Sequence, residues 1–305
     1  MILVSGSIAT DHLMTFPGSF AEQILPESLS AISLSFLADE LTVHRGGVAA
    51  NIAYGIARLG GRTVLVGAVG ADFDVEYRGW LEASGVDCAG VLTSATAHTA
   101  RFVCTTDREL CQIATFYPGA MSESESIDLA PIGDRHRPTL VLIGPDMPGA
   151  MLRHAAVCRD RGWRFAADPS QQLATMTAAE VREFITGAAY LFTNEYEYDL
   201  LLDRTDLSDR QLTELVGLAV TTLGAKGVRL TDRLGTSTVP AVPVDRVIDP
   251  TGSGDAFRAG FLIGTARGLS PFAAAELGCQ VATLCLAQPG TQTYDPRGLG
   301  GPDHV

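Results

Sequence analysis

Several motifs that mark large enzyme classes are missing from this chain. It has no GxxxxGK[ST] segment, no complete GxGxxG after its first apolar run and no GxSxG segment. P-loop enzymes, dinucleotide-binding folds and serine hydrolases with a nucleophile elbow are therefore disfavoured. The six cysteines stand far apart, without CxxC or Cys/His spacing, so a metal site built on them is also disfavoured. We expect buried free thiols in a reducing cytoplasm.

Positive charge is scarce as well. Lys and Arg number 22 against 35 Asp and Glu, which gives a net charge of −13. Such a surface repels phosphate backbones, and no basic stripe is visible, so we expect no nucleic-acid partner. No basic leader precedes the first apolar run, and no run approaches the roughly 20 residues of a membrane span. We therefore expect a cytoplasmic protein with a small-molecule substrate and no membrane partner.

Short apolar runs alternate with segments of helical spacing along most of the chain. The predicted strands are residues 2–4, 63–69, 140–143, 164–167, 190–192 and 218–223. The predicted helices are residues 48–59, 75–84, 150–161, 178–186 and 195–203. This alternation predicts an α/β protein, with a mainly parallel sheet covered by helices on both faces. With 305 residues, we interpret the chain as a single domain spanning residues 1–305.

Two segments interrupt the alternation. Residues 31–45 and 99–116 mix apolar and polar positions, and the second predicts a hairpin about residues 106–109. We expect a small antiparallel sheet, built within about residues 12–45 and 96–118. Beside the carboxyl ends of a parallel sheet it would be either a lid that excludes water or a simple edge extension.

The most informative segment is DPTGSGD, residues 249–255. Its proline and glycines cannot propagate a helix, whereas apolar residues follow at helical spacing from Ala256, so a glycine-rich turn leads into a helix. The free N–H groups and helix dipole there suit a phosphate. A carboxylate at such a site fits a general base, which makes Asp255 a candidate. The alternative is an ordinary helix cap.

Two further segments carry polar groups at the starts of predicted helices. In RGGVAANIA, Gly46 and Gly47 allow a ligand to approach the backbone closely, and Asn51 follows about one helical turn later. The alternative is a tight turn with a solvated Asn. In TNEYE, Asn194 and Glu197 share a helix face. One amide and one carboxylate suit Mg²⁺, although a solvated helix start explains them too.

In order and spacing, the RGGVAAN turn, the Asn194/Glu197 pair and DPTGSGD resemble the PfkB, or ribokinase-like, family of carbohydrate and nucleoside kinases. The resemblance runs from Gly6 to about Gly290. Finer stretches are similar to a bacterial adenosine kinase branch, namely GSIATDHL, HRGGVAANIA, HTARFVCTTD, FYPGAM, ADPSQQL and LFTNEYE. The family implies a three-layer α/β/α ribokinase-like fold with a small β lid. It also implies ATP as phosphoryl donor, Mg²⁺, and transfer to a primary hydroxyl of a sugar.

The resemblance also implies roles for individual residues. Asp255 matches the catalytic base, and the N–H groups of Gly252, Ser253 and Gly254 match an anion hole. Asn194 and Glu197 match the pair that organises Mg²⁺ and phosphates. The positions matched to ATP binding are Asn194, Thr222, Gly224 and Gly227, with Lys226 between them as a solvated cation. The positions matched to the ribose hydroxyls of the acceptor are Asp11, Gly47 and Asn51, with Ser7 and Ser35 as weaker candidates.

The acceptor is predicted from the lid. Phe102 and Phe116 lie on opposite arms of the hairpin, where they would stack on an adenine ring or fill the lid's own core. Gln171 and Gln172 would bond base edges or coat a loop. We predict ATP-dependent phosphorylation of the 5′-hydroxyl of adenosine. The alternatives are a sugar kinase of the same family, acting on ribose, fructose or a related sugar, and an inactive nucleoside-binding protein.

Two expectations concern ions and assembly. The resemblance allows a potassium ion near the anion hole, at Asp249, Thr251 and the loop of residues 287–291. The predicted lid sheet exposes strand edges that would pair with a second subunit, so a homodimer through the lid is an open alternative to a monomer.

Overall fold

Thirteen strands and eleven helices are formed in the part of the chain that the computed structural model describes, residues 1–24 and 34–299. The strands are β1 Ile2–Ser5, β2 Ala9–Thr15, β3 Glu40–Gly46, β4 Thr63–Val69, β5 Val86–Thr93, β6 Ala100–Thr106, β7 Gln112–Tyr117, β8 Leu140–Ile143, β9 Phe165–Ala167, β10 Tyr190–Asn194, β11 Leu218–Thr222, β12 Val228–Asp232 and β13 Gly235–Val239. The helices are α1 Phe20–Gln23, α2 Val48–Arg58, α3 Asp72–Glu76, α4 Arg78–Ala83, α5 Leu129–His136, α6 Pro148–Arg161, α7 Ala178–Ile185, α8 Glu195–Thr205, α9 Asp209–Leu215, α10 Ser253–Ala266 and α11 Pro271–Leu286.

The large sheet has nine strands in the order β13-β12-β11-β10-β9-β8-β1-β4-β5. The strands from β11 to β5 pair in parallel, whereas β12 and β13 add an antiparallel edge. Helices cover both faces, which confirms the predicted α/β architecture. The strands β5, β12 and β13 were not predicted. Polar residues interrupt the apolar ones in β5 and β12, and β13 is mostly polar, as at a partly exposed sheet edge, so none of the three has the continuous apolar sequence that predicted the other strands.

Two hydrophobic cores lie on the two faces of this sheet, because successive residues of a strand point in opposite directions. In β1, Ile2 and Val4 enter the core formed with α2, α10 and α11. Leu3 enters the other core, which includes apolar residues of α6, α7, α8 and α9. Burial on both faces explains why the parallel strands have continuous apolar sequences.

The second sheet has four strands in the order β3-β2-β6-β7. We call it the lid sheet. Its β2/β3 and β6/β7 pairs are antiparallel, as expected, but β2 and β6 run parallel. The hairpin prediction is confirmed, since the Asp107 carboxylate accepts N–H bonds from Glu109 and Cys111 in the turn. Strand β2 was missed, and within the predicted segment 31–45 only β3 is a strand, residues 31–33 lying outside the described residues.

Two other expectations need correction. The helix predicted over residues 75–84 is divided into α3 and α4 at Tyr77, whose buried hydroxyl donates a 3.0 Å hydrogen bond to the Gly46 carbonyl oxygen. That tertiary contact accompanies a non-helical Tyr77 backbone, with φ −133° and ψ −39°. All six cysteines are free thiols, but Cys111 is exposed beside the hairpin turn and only the other five are buried.

Candidate functional site

The turn before α10 holds its shape through glycine and through one carboxylate. Gly252 has φ +76°, and a Cβ there would lie 2.8 Å from the Thr291 side chain, so only glycine fits without strain. The Asp249 carboxylate accepts N–H bonds from Thr251 at 2.8 Å and from Gly290 at 2.9 Å. These bonds lower the pKa of Asp249 although burial opposes them. Asp249 therefore ties the turn to the 287–291 loop.

Asp255 lies in the first turn of α10, partly buried. Its Oδ2 accepts a 2.8 Å hydrogen bond from Asn51 Nδ2. Burial raises the pKa of Asp255 to about 7, against the opposing effects of the Arg258 charge and the Asn51 bond. A carboxyl group with that pKa can both accept and release a proton near neutral pH.

Asp255 lines a cavity of about 300 Å³ at the carboxyl ends of the parallel strands. In open parallel sheets that edge is where ligands bind. Seven predicted site residues line it, namely Asn194, Glu197, Thr222, Gly224, Ser253, Gly254 and Asp255. Four residues that we did not predict also line it, namely Val48, Asp168, Ser170 and Arg258. The structure thus brings the glycine turn, Asn194 and Glu197 together around one space.

The buried pair of Asp168 and Arg258 is the main feature that sequence reasoning missed. Arg258 Nε lies 2.5 Å from Asp168 Oδ2, and Arg258 Nη2 donates a hydrogen bond to Asp168 Oδ1 at 2.9 Å. The Asp168 side chain is 0% exposed and that of Arg258 8% exposed. A third guanidinium nitrogen donates to the Gly254 carbonyl oxygen at 3.1 Å. The pair therefore fixes the first turn of α10 to the end of β9.

A sequence signal for this pair did exist. Asp168 comes directly after a buried strand, and Arg258 is a single charge within the apolar stretch of α10. A charged residue at a buried helix position is rarely left without a partner.

Asn194 and Glu197 form a reciprocal capping box at the start of α8. The Asn194 side chain accepts the Glu197 N–H, and Glu197 Oε2 accepts the Asn194 N–H, both at 2.8 Å. Burial and then the charge of Asp168 raise the pKa of Glu197. The predicted helix cap is therefore present, and both residues also line the cavity, so their predicted role at the site stays a prediction compatible with this geometry.

The residues matched to ribose binding are spread over three elements. Asn51 is buried. Its side-chain oxygen, Oδ1, lies within hydrogen-bond distance of the Thr291 hydroxyl and the Gln292 side-chain amide, at 2.8 and 2.9 Å. The Ser7 hydroxyl accepts the Val48 N–H at 3.1 Å and so caps α2. Gly47 has φ +89°, and a Cβ there would lie 2.6 Å from the Ser7 carbonyl oxygen. Ser35 is exposed, two residues after the undescribed segment.

A row of four side chains crosses one face of the lid sheet. Strand register pairs His44 with Asp11, Asp11 with Phe102, and Phe102 with Phe116. Directly paired residues share a face. Burial raises the pKa of Asp11, whose charge in turn acts on Asp255. The two phenylalanines are therefore neighbours, and they share their face with the Asp11 carboxylate, which is not among the residues that line the cavity.

The remaining predicted residues have these positions. Gln171 and Gln172 lie in a 3₁₀ turn over Ser170–Ala174, where the Gln172 carboxamide accepts a bond from the Thr175 hydroxyl. Gly227 lies outside the cavity lining, with φ +102° beside the Val239 carbonyl oxygen. Lys226 is exposed, 3.6 Å from Glu195.

The site suits a magnesium ion in its donor types. Glu197, Asn194 and Ser170 present hard oxygen donors to the cavity, and such donors are those that Mg²⁺ prefers. Three carboxylates face the space with one guanidinium, so a polyphosphate entering it needs a further positive charge. No cluster of three or more His, Cys, Asp or Glu suited to a metal occurs within residues 1–24 and 34–299.

A family model described as pfkB family carbohydrate kinase matches residues 11–297. The chain belongs to this family. A nucleoside kinase of Methanothermobacter thermautotrophicus is 32% identical over 254 residues, which cover 82% of this chain and 81% of the relative. The solved structure of Burkholderia thailandensis nucleoside kinase in complex with inosine is 36% identical, with a TM-score of 0.84, and the match covers 97% of this chain and 93% of that one. Fructokinase-2 of Solanum habrochaites is 26% identical over 271 residues, covering 83% of this chain and 81% of the relative.

The family assignment confirms the predicted fold and enzyme class. The chain is an ATP-dependent phosphotransferase with a hydroxyl acceptor, acting on nucleosides or sugars. The predicted likeness to adenosine kinases has looser support, because the structure of the Sinorhizobium meliloti adenosine kinase is 21% identical and shows the fold alone. Among the helices of the described ranges, none has both the length and the apolar character needed to cross a bilayer.

Proposed function

We propose that the protein transfers the γ-phosphoryl group of ATP to the 5′-hydroxyl of a purine nucleoside, with adenosine as the first candidate. The observation that carries this proposal is the place of Asp255. It joins the start of α10, the cavity and Asn51, and its charge is coupled to Asp11 on the face that holds Phe102. A base between a phosphate cradle and an aromatic face suits an acceptor with both a hydroxyl and a flat ring.

The chemistry assigned to the chain is alignment and charge neutralisation. Asp255 accepts the proton of the 5′-hydroxyl as its oxygen attacks the γ-phosphorus. The N–H groups of Gly252, Ser253 and Gly254, at the positive end of α10, receive the negative charge that develops on the phosphoryl oxygens. Asn194, Thr222, Gly224 and Gly227 are assigned to ATP.

Two ions belong to this proposal. Glu197 and Asn194 would hold Mg²⁺ through water, and the bound ion would neutralise phosphate charge. A potassium ion near Asp249 and Thr251 stays a prediction. Asp249 already accepts two N–H bonds there, so such an ion would add to contacts that shape the turn. The free thiols of all six cysteines support a cytoplasmic location.

The acceptor class is supported by the lid and by the relatives. Both nucleoside kinases named above exceed 30% identity, and one of them holds inosine. Phe102 and Phe116 offer adjacent rings for stacking on a base. The fructokinase relative supports the alternative of a sugar acceptor.

Replacement of Asp255 by Asn tests the base assignment. Asn keeps the size and hydrogen bonding of the side chain but cannot take the proton, so we expect turnover to fall by roughly 10²- to 10⁴-fold. ADP formation should be measured with adenosine, inosine, cytidine, ribose and fructose as acceptors. Turnover of Asp255→Asn near that of the unmodified protein would contradict the assignment. If none of these acceptors led to ADP formation, the result would support neither class of kinase. It would support the inactive nucleoside-binding alternative only if adenosine still bound.

We also propose a homodimer through the lid. The lid-sheet face opposite the Asp11 row exposes Leu41, Val43 and Ile113, at 61, 51 and 43%. Within the described ranges, β3 and β7 have no further strand partner. An apolar face with open edges suits a second copy of the chain.

A further inference from the structure

A chain of three hydrogen bonds connects Trp80 to Asp255 through Gln292 and Asn51. Trp80 Nε1 donates to Gln292 Oε1 at 3.0 Å, and Gln292 Nε2 donates to Asn51 Oδ1 at 2.9 Å. Asn51 Nδ2 then donates to Asp255 Oδ2 at 2.8 Å. Gln292 and Asn51 are 3 and 4% exposed, so water cannot replace these partners freely.

The direction of every bond in this chain is fixed from its outer end. An indole N–H only donates, so the oxygen of the Gln292 carboxamide must face Trp80 and its NH₂ must face Asn51. The Thr291 hydroxyl also lies 2.8 Å from this Asn51 oxygen, but its single proton is shared with the Arg45 carbonyl oxygen at 2.7 Å, so Gln292 is the donor that fixes the orientation of Asn51. The Asn51 NH₂ is thereby left to face Asp255. Tyr77 agrees with this order, because its hydroxyl accepts from Gln292 Nε2 and donates to the Gly46 carbonyl oxygen.

We propose that Gln292, held by Trp80, is a positioning residue that keeps Asn51 as a hydrogen-bond donor to Asp255 and so favours the deprotonated form of that carboxyl group. The inference rests on the proposed role of Asp255 as base. A donor that meets a carboxylate stabilises its charged form, whereas a carbonyl oxygen at the same place would favour the protonated form. The chain of bonds thus opposes the effect of burial on Asp255.

Other charged and titratable groups also face Asp255. Arg258 is on the same helix, Asp168 follows β9 and Asp11 is on β2. The Cys285 thiol on α11 and the Tyr294 hydroxyl also interact electrostatically with it. Substitutions at Gln292 leave all five in place, so their common background cancels in a comparison of variants.

Two substitutions at Gln292 test the proposal. Gln292→Met removes the donor to Asn51 without adding charge. Gln292→Glu replaces the donor with an acceptor, which should attract the Asn51 NH₂ and leave the Asn51 side-chain oxygen facing Asp255. We expect the acid limb of the pH profile of acceptor kcat/KM to move to higher pH in both variants. The expected shift is about one pH unit or more for Gln292→Glu and a smaller shift of the same sign for Gln292→Met. The KM for ATP should change little.

Gln280 provides the matched controls, since it is an exposed glutamine on α11, outside the predicted binding positions. Gln280→Glu and Gln280→Met should give the profile of the unmodified protein. If Gln292→Glu fails to fold, as judged by thermal melting, Gln292→Met carries the test alone. Acid limbs of the Gln292 variants that coincide with those of the Gln280 variants would overturn this inference. A separate result would contradict the role of Asp255 as base, namely an Asp255→Asn protein that keeps its activity.

Discussion

Asp255 and Arg258 show how one helical turn holds two charged groups in different states. Arg258 meets Asp168 in a buried ion pair, whereas Asp255 receives a neutral amide from Asn51. Burial raises the pKa of both carboxyl groups, and it raises that of Asp255, which has no direct cationic partner, to about 7. The ion pair therefore fixes structure, and the neighbouring acid stays free to exchange a proton.

This pKa predicts how activity depends on pH. A base must be deprotonated to act, so below about pH 7 the protonated fraction of Asp255 rises and activity is lost. We expect acceptor kcat/KM to fall about tenfold per pH unit on the acid side. The measurement is a pH profile at saturating MgATP. A profile that stays flat down to pH 5 would exclude Asp255 as a base with this pKa.

Breaking the buried ion pair should destabilise the protein strongly. Asp168→Asn leaves the Arg258 charge buried without its counterion, at an expected cost of about 3–5 kcal/mol in the free energy of unfolding. Urea unfolding measures this cost. Asp134→Asn is the control, because Asp134 meets Arg161 at 2.6 Å with both side chains nearly half exposed, and such a pair contributes about 1 kcal/mol or less. Equal losses in both variants would contradict the role of burial.

At the scale of elements, the lid sheet separates two faces by the alternation of its strands. One face has the row of Asp11, Phe102 and Phe116, and the other exposes Leu41 and Val43. A shift of one residue in register would exchange these faces. Register is therefore what separates the face of the Asp11 row, which we propose to meet the acceptor, from the outer face.

Phe102→Ala tests the acceptor side of the lid. Stacking of a base on an aromatic ring contributes roughly 1–3 kcal/mol, so kcat/KM for adenosine should fall by a corresponding factor while the value for ribose falls less. The measurement is ADP formation with both acceptors. Phe272→Ala serves as control, since Phe272 is exposed on α11 outside the lid. Equal losses on adenosine and ribose would argue against stacking.

At the scale of the whole molecule, the acidic surface and the apolar outer face of the lid act in opposite directions on assembly. A net charge of −13 opposes non-specific association. An apolar patch with open strand edges favours one defined contact.

The proposed dimer predicts twice the chain mass of 32.2 kDa by light scattering. Val43→Asp places a charge in the apolar outer face and should shift the protein toward monomer. Leu234→Asp is the control, because Leu234 is 97% exposed on the β12–β13 turn, away from the lid. A monomeric unmodified protein at micromolar concentration would contradict the proposal.

Much of the fold followed from local pattern. Continuous apolar runs predicted β1, β4, β8, β9, β10 and β11, because a parallel strand is buried on both faces. Strand β2 was missed because its polar and apolar residues alternate only roughly, and its pairing with β6 involves positions about 90 residues away. Tyr77 interrupts a predicted helix through a contact with Gly46, which no local pattern reports.

The sequence by itself determined the glycine turn, the helix that follows it and the carboxyl group at their junction, because glycine, proline and helical spacing act within a few residues. Only the tertiary structure decided which distant groups surround that carboxyl. Arg258 meets Asp168 across 90 positions, and Gln292 meets Asn51 across 241. Hydrophobic spacing tells that a residue is buried, but the order of strands and the packing of helices decide what it is buried against.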